Sequence, residues 1–140
     1  MILYLDTSSL VKLYIEETHS HEVRSWVERA DIVATCRVAY PEMMSALTRR
    51  YKAGDISKKV LGRLIDAFIG EWLKFVVLDF DETVAGELAR RHNLRGLDAI
   101  HLSSLKLLSE TDKNLNFAFS SFDERLNRAA TREGFNVLTP

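Results

Sequence analysis

The sequence predicts a single α/β domain over residues 1–140, with a central, mostly parallel sheet of four to five strands flanked by helices. Three observations carry this reading. Short apolar runs recur along the chain (Ile2–Leu5, Ile32–Thr35, Phe75–Leu78 and Phe117–Phe119), each of strand length. The segments between them place apolar residues three and four positions apart, the helical period. A chain of 140 residues that is 46% hydrophobic also has enough apolar material for one proper core.

Ile2–Leu5 reads as a buried strand, and it ends abruptly in Asp6-Thr7-Ser8-Ser9. Leu10–Ile15 is then a short helical run, followed by a helix over Ser20–Arg29 with Val23, Trp26 and Val27 on one face. Asp31 leads into the second strand. Arg37–Lys52 is a longer helix, and Pro41 sets its regular part to begin close to Tyr40, because proline fits a first turn and breaks an interior. Ala39, Met43, Ala46 and Leu47 form its apolar stripe, and Gly54 closes it. Ser57 opens the next helix, which spaces Val60, Leu61, Leu64, Ile65, Phe68 and Trp72 along one side. After the third strand, Asp81–His92 is a helix rich in Glu and Arg. Asn93–Gly96 connects it to Arg95–Leu108, a helix apolar around most of its circumference and so expected in the middle of the domain. A polar loop, Glu110–Asn116, precedes the fourth strand. Ser120–Asp123 ends that strand, Glu124–Glu133 is helical, Gly134 stops it, and Asn136–Thr139 is a short final strand.

The formal charge of −1 excludes a general nucleic-acid-coating protein but not a nuclease, whose basic faces can coexist with an acidic site. A single cysteine, Cys36, permits no internal disulfide and points to a reducing compartment. ILYLD after Met1 lacks the basic region of a signal peptide, and no apolar run approaches the roughly 20 residues of a membrane span. The expectation is a cytoplasmic protein with no membrane partner.

Four acids stand out. Asp6 and Asp123 follow the first and fourth strands, at the carboxyl ends where ligands gather in an open parallel sheet. Glu42 lies early in its helix beside the apolar stripe, and Asp98 shares a helix face with Leu102 and Leu105. Taken singly, Asp6, Asp98 and Asp123 are better explained as helix caps, and Glu42 as an ordinary first-turn acid. Taken together, four carboxylates repel one another, which a hard divalent cation such as Mg²⁺ or Mn²⁺ would resolve. Spacing alone leaves both readings open.

The chain resembles the PIN-domain family, and within it most closely the VapC-type ribonuclease toxins of toxin–antitoxin pairs. The resemblance runs from end to end and rests on ILYLDTSS at Ile2–Ser9, PEMMSAL at Pro41–Leu47, GLDAIHLSSL at Gly96–Leu105 and SSFDERLNRAATREGFNVLTP at Ser120–Pro140. It implies a PIN-like nuclease domain that cleaves RNA with Mg²⁺ or Mn²⁺ held by Asp6, Glu42, Asp98 and Asp123, with water rather than a side chain as nucleophile. It also implies a cognate antitoxin and a homodimer. Thr7, Ser8 and Ser121 match the family's small polar residues, which orient carboxylates or water; turn and capping chemistry explains them equally well. His101 is better read as a packed core histidine. Arg49, Arg50, Arg91 and Arg95 are candidate contacts to an RNA backbone, although cations at helix ends are also favoured by the dipole. Leu10, Tyr14, Phe68 and Trp72 could form partner surfaces or core.

Rival readings are weaker. A haloacid-dehalogenase-like phosphatase needs an aspartate where Ser8 stands, and a dinucleotide enzyme needs a glycine fingerprint that is missing. Arg95 and His101 permit a metal-independent ribonuclease like the all-helical HEPN family, against which the strands argue. The alternative from another class is a catalytically silent PIN fold that binds RNA or a protein.

Overall fold

β1 (Ile2–Leu5) lies at the centre of a five-stranded sheet in the computed structural model, which describes residues 1–140. On one side of it come β2 (Ile32–Cys36) and β3 (Val76–Leu78); on the other come β4 (Phe117–Ser120) and β5 (Asn136–Val137). All four pairings are parallel, with Ile2 opposite both Ile32 and Phe117. The chain therefore winds outward from β1 to β3, then returns to lay β4 against the other side of β1. That reversal opens a crevice outside the carboxyl ends of β1 and β4, where open α/β sheets hold their ligands.

Seven helices cover the sheet: α1 (Thr7–Leu10), α2 (Ser20–Arg29), α3 (Ala39–Lys52), α4 (Lys58–Trp72), α5 (Glu82–His92), α6 (Gly96–Thr111) and α7 (Glu124–Arg132). The pleat of β1 sorts them into two layers. Leu3 and Leu5 pack on one face with Leu10, Val23, Met43, Leu47 and Phe68 of α1–α4. Ile2 and Tyr4 pack on the other with Leu88, Leu102, Leu105 and Leu126 of α5–α7. Because β1 is buried on both sides, it reads as an unbroken apolar run rather than an alternating one.

The predicted order of elements holds, with local differences. The first helix begins at Thr7, earlier than the apolar run suggested, because Asp6 caps it; a 3-10 turn over Val11–Leu13 follows. α6 continues to Thr111, into the stretch read as a polar loop, with Ser109 and Thr111 hydroxyls donating to backbone carbonyls one turn back. β3 is a largely exposed edge strand, and β5 has only two residues. Leu10 and Phe68 are fully buried and belong to the core, whereas Tyr14 and Trp72 are half-buried and pack edge-on against Phe68. Apolar side chains that reach solvent include Ile69 and Leu73 at the end of α4 and Val76 and Val77 of β3. Cys36 is a free, buried thiol, and no helix is long and apolar enough to cross a membrane.

Candidate active site

Asp6, Glu42, Asp98 and Asp123 line a single pocket of about 430 Å³, together with Thr7, Ser8, His101, Arg49, Arg50 and Arg95. Four separate segments deliver the acids. β1 and β4 end side by side and drop Asp6 and Asp123 at the sheet reversal, while α3 and α6 bring Glu42 and Asp98 over it.

The capping explanation accounts for two of the four. Asp6 accepts the Ser9 amide at 3.0 Å and caps α1; Asp123 accepts the Leu126 amide at 2.8 Å and caps α7. Asp98 caps nothing. The cap position of α6 is Arg95, whose side chain makes no capping bond, and Asp98 bonds only to the Arg95 guanidinium, 3.1 Å from Nε. Glu42 also makes no bond to a backbone amide; its partners are the Thr7 hydroxyl at 2.9 Å and His101 at 2.7 Å.

Asp6 is the most enclosed of the set, only 4% exposed. Ser8 Oγ and Ser121 Oγ donate to its two oxygens at 2.7 and 2.6 Å, so both hydroxyls do hold a carboxylate as well as a turn. Burial pushes its pKa up; His101 and the Ser121, Ser8 and Ser9 hydrogen bonds oppose that without cancelling it. At Glu42, burial pulls the same way, but His101 and the Thr7 hydroxyl outweigh it and hold the carboxyl below its usual range.

His101 is both the core histidine anticipated and a part of the site. It is buried, it lies one helical turn after Asp98, and it links Tyr4 Oη (2.9 Å from Nδ1) to Glu42 (2.7 Å from Nε2). A carboxylate accepts only, so Nε2 donates to Glu42, and Nδ1 lies within hydrogen-bond distance of the buried Tyr4 hydroxyl. The three-residue interval from Asp98 was the available signal; the contact to Glu42 was not visible in the sequence.

The basic residues divide. Arg49 and Arg50 line the pocket, as does Arg95. Arg50 is tied to Glu17, whereas Arg49 donates only to Ser45 Oγ, at 2.7 Å. Arg91 is not brought to the pocket: it pairs with Glu87 of α5 and with Glu133 at the end of α7. Its position in the last turn of α5 fits the helix dipole and this ion pair.

The donor chemistry suits a hard divalent cation, since all four acids offer oxygen. Oε2 of Glu42 and Oδ1 of Asp98 accept no hydrogen bond from the chain. As arranged here, no three Asp, Glu, His or Cys side chains stand close enough to hold one ion. Arg95 donates to both Asp98 and Asp123, and the hydroxyls and His101 hold Asp6 and Glu42.

Comparison with known proteins agrees with this architecture. Residues 3–132 match the PIN domain family. A ribonuclease of Mycobacterium tuberculosis, VapC49, is 33% identical over 139 residues, covering 97% of this chain and 94% of its own length. Two solved structures share the fold at low sequence identity. FitAcB from Neisseria gonorrhoeae superposes with a TM-score of 0.69 at 17% identity, over 100% of this chain and 98% of that one. VapC20 of Mycobacterium tuberculosis, described as a sarcin-ricin loop cleaving toxin, gives a TM-score of 0.64 at 16% identity, covering 99% of each chain.

Proposed function

This chain belongs to the PIN-domain family, and from that premise we propose that it is a metal-dependent endoribonuclease, the toxin of a toxin–antitoxin pair. The observation that carries the proposal is Asp98. It sits at the start of a buried helix, caps nothing, and faces the same pocket as three other carboxylates.

Asp6, Glu42, Asp98 and Asp123 would hold Mg²⁺ or Mn²⁺. Once bound, such an ion lowers the pKa of water and neutralises charge on a scissile phosphate. The chain's own groups do the rest. Ser8 and Ser121 orient the Asp6 carboxylate, and Thr7 and His101 orient that of Glu42 through one oxygen, which leaves its Oε2 to turn toward an ion. Arg49, with only a neutral hydroxyl as partner, is free to meet the RNA backbone beside the acids. The likeness to toxins supports an antitoxin partner and a homodimer, and the exposed apolar side chains of α4 and β3 offer area for one of them to cover; Leu73 is 91% exposed. The single reduced cysteine fits the cytoplasm.

The test is cleavage of a structured RNA by the purified chain. Activity should vanish in EDTA, return with Mn²⁺, and be lost in both Asp6→Asn and Asp98→Asn. Cleavage that survives chelation would overturn the proposal. A second reading, a PIN fold that binds RNA or protein without turnover, draws on the arginine already seated between Asp98 and Asp123. Cleavage that depends on the acids would exclude it.

A further inference from the structure

Arg95 is the residue whose contacts the proposed chemistry leaves unexplained. It precedes α6, and although its side chain is 75% exposed, its guanidinium is held by two carboxylates. Nε donates to Asp98 Oδ2 and Nη2 donates to Asp123 Oδ2, both at 3.1 Å. One cation thus bridges two acids 25 residues apart in sequence, and it lines the same pocket as all four acids. A guanidinium presents several donors in a rigid plane and stays charged at any ordinary pH, so it can serve two carboxylates at once without a change of protonation.

We propose that Arg95 is a tethered counter-cation that a divalent metal must displace from Asp98 and Asp123, so that it sets the metal affinity of the site. The inference rests on the reading of the four acids as metal ligands. The physical reasoning is exchange of one cation for another. Without a metal, Arg95 relieves the repulsion between two carboxylates that would otherwise face each other unpaired. To take up a metal, those carboxylates must give up the guanidinium, and the cost of parting them is subtracted from the binding free energy. Because the pair is exposed, that cost is modest and the exchange is easily reversed. Arg95 then becomes free, within reach of the same pocket.

Isothermal titration of Mn²⁺ into the full chain tests this without measuring cleavage. Arg95→Gln removes the competing charge and should bind Mn²⁺ about fivefold more tightly than wild type, the range expected for releasing exposed ion pairs. A lower positive charge near the site would by itself attract a cation, so Arg49→Gln serves as the control. Arg49 lines the same pocket but donates to Ser45 rather than to an acid, and its substitution makes the same change in net charge. Its effect should be well under half that of Arg95→Gln on a logarithmic scale. Equal or weaker Mn²⁺ binding in Arg95→Gln, or an equal gain in Arg49→Gln, would overturn the displacement role while leaving the metal site standing. Failure of wild type and both variants alike to bind Mn²⁺ would overturn the metal site itself and this inference with it. Loss of folding is not a complication at this position, because the Arg95 side chain is exposed and makes no capping bond.

Discussion

Asp98→Asn should separate folding from function, and the structure supplies the magnitudes. The only bond that Asp98 makes is to the guanidinium of Arg95, in a pair whose side chains are 18% and 75% exposed. Pairs so open to solvent contribute roughly 0–1 kcal/mol, and removing a carboxylate from a cluster of four also relieves repulsion. The variant should therefore stay within about 1 kcal/mol of wild type, which for a chain of this size is a shift in Tm of roughly 3–5 °C. Activity should respond on a different scale. Metal-assisted stabilisation of a phosphodiester transition state is worth several kcal/mol, and losing about 3 kcal/mol of it slows cleavage roughly 150-fold. Urea melts followed by the fluorescence of Trp26 and Trp72, run beside single-turnover cleavage, measure both quantities on one preparation. A variant that cleaves at the wild-type rate would refute the assignment of Asp98. A loss of more than about 2 kcal/mol in stability would refute the reading that its position serves chemistry rather than the fold.

Other outcomes follow from the same contacts. Asp6→Ala should behave in the opposite way, because it removes a helix cap and strands the Ser8 and Ser121 hydroxyls; about 2–4 kcal/mol of stability should be lost in the same melts. His101→Ala leaves the buried Tyr4 hydroxyl without a partner and Glu42 without its donor, so it should lower both stability, by about 1–3 kcal/mol, and cleavage. Arg49→Gln should weaken RNA binding and reduce its salt dependence by about one phosphate contact, whereas Arg91→Gln, whose guanidinium is engaged by Glu87 and Glu133, should leave RNA binding unchanged in a filter-binding titration. Glu133 offers a pH test away from the pocket. Burial raises its pKa, but Lys106, His92 and Arg91 outweigh burial and bring it down to about 2. A carboxyl depressed in the folded state contributes stability above its ordinary pKa and loses it as pH falls toward the folded value. Glu133→Gln should therefore be destabilising at neutral pH, by about 1–3 kcal/mol, and the gap to wild type should close between about pH 4.5 and pH 2 in acid melts.

Local chemistry made much of this protein legible. Apolar runs of three or four residues, separated by helical spacing, specify strands and helices in their order because each signal lies within a few residues. The unbroken apolar character of Ile2–Leu5 marked a strand covered on both faces, and helices do cover it on both. The four acids were visible as an oddity, since each stands where a strand ends or a helix starts. Sequence could not say which of them were caps. Asp6 and Asp123 are, and Asp98 is not, a difference that depends on whether a free backbone amide lies within reach of the side chain.

What only the tertiary structure decided was which distant groups meet. The order β3-β2-β1-β4-β5 places Asp6 beside Asp123, although 117 positions separate them along the chain. It also sets Tyr4 against His101, 97 residues away, and lets Arg95 reach Asp123 while Arg91, four residues earlier, turns to Glu133. Periodicity is a property of one segment, whereas a contact between segments depends on how two buried faces pack and how the strands are ordered. The amino-acid sequence by itself determined that four carboxylates would stand at strand ends or helix starts of a parallel α/β domain. The packing decided that they share one pocket, and that an arginine already lies across two of them.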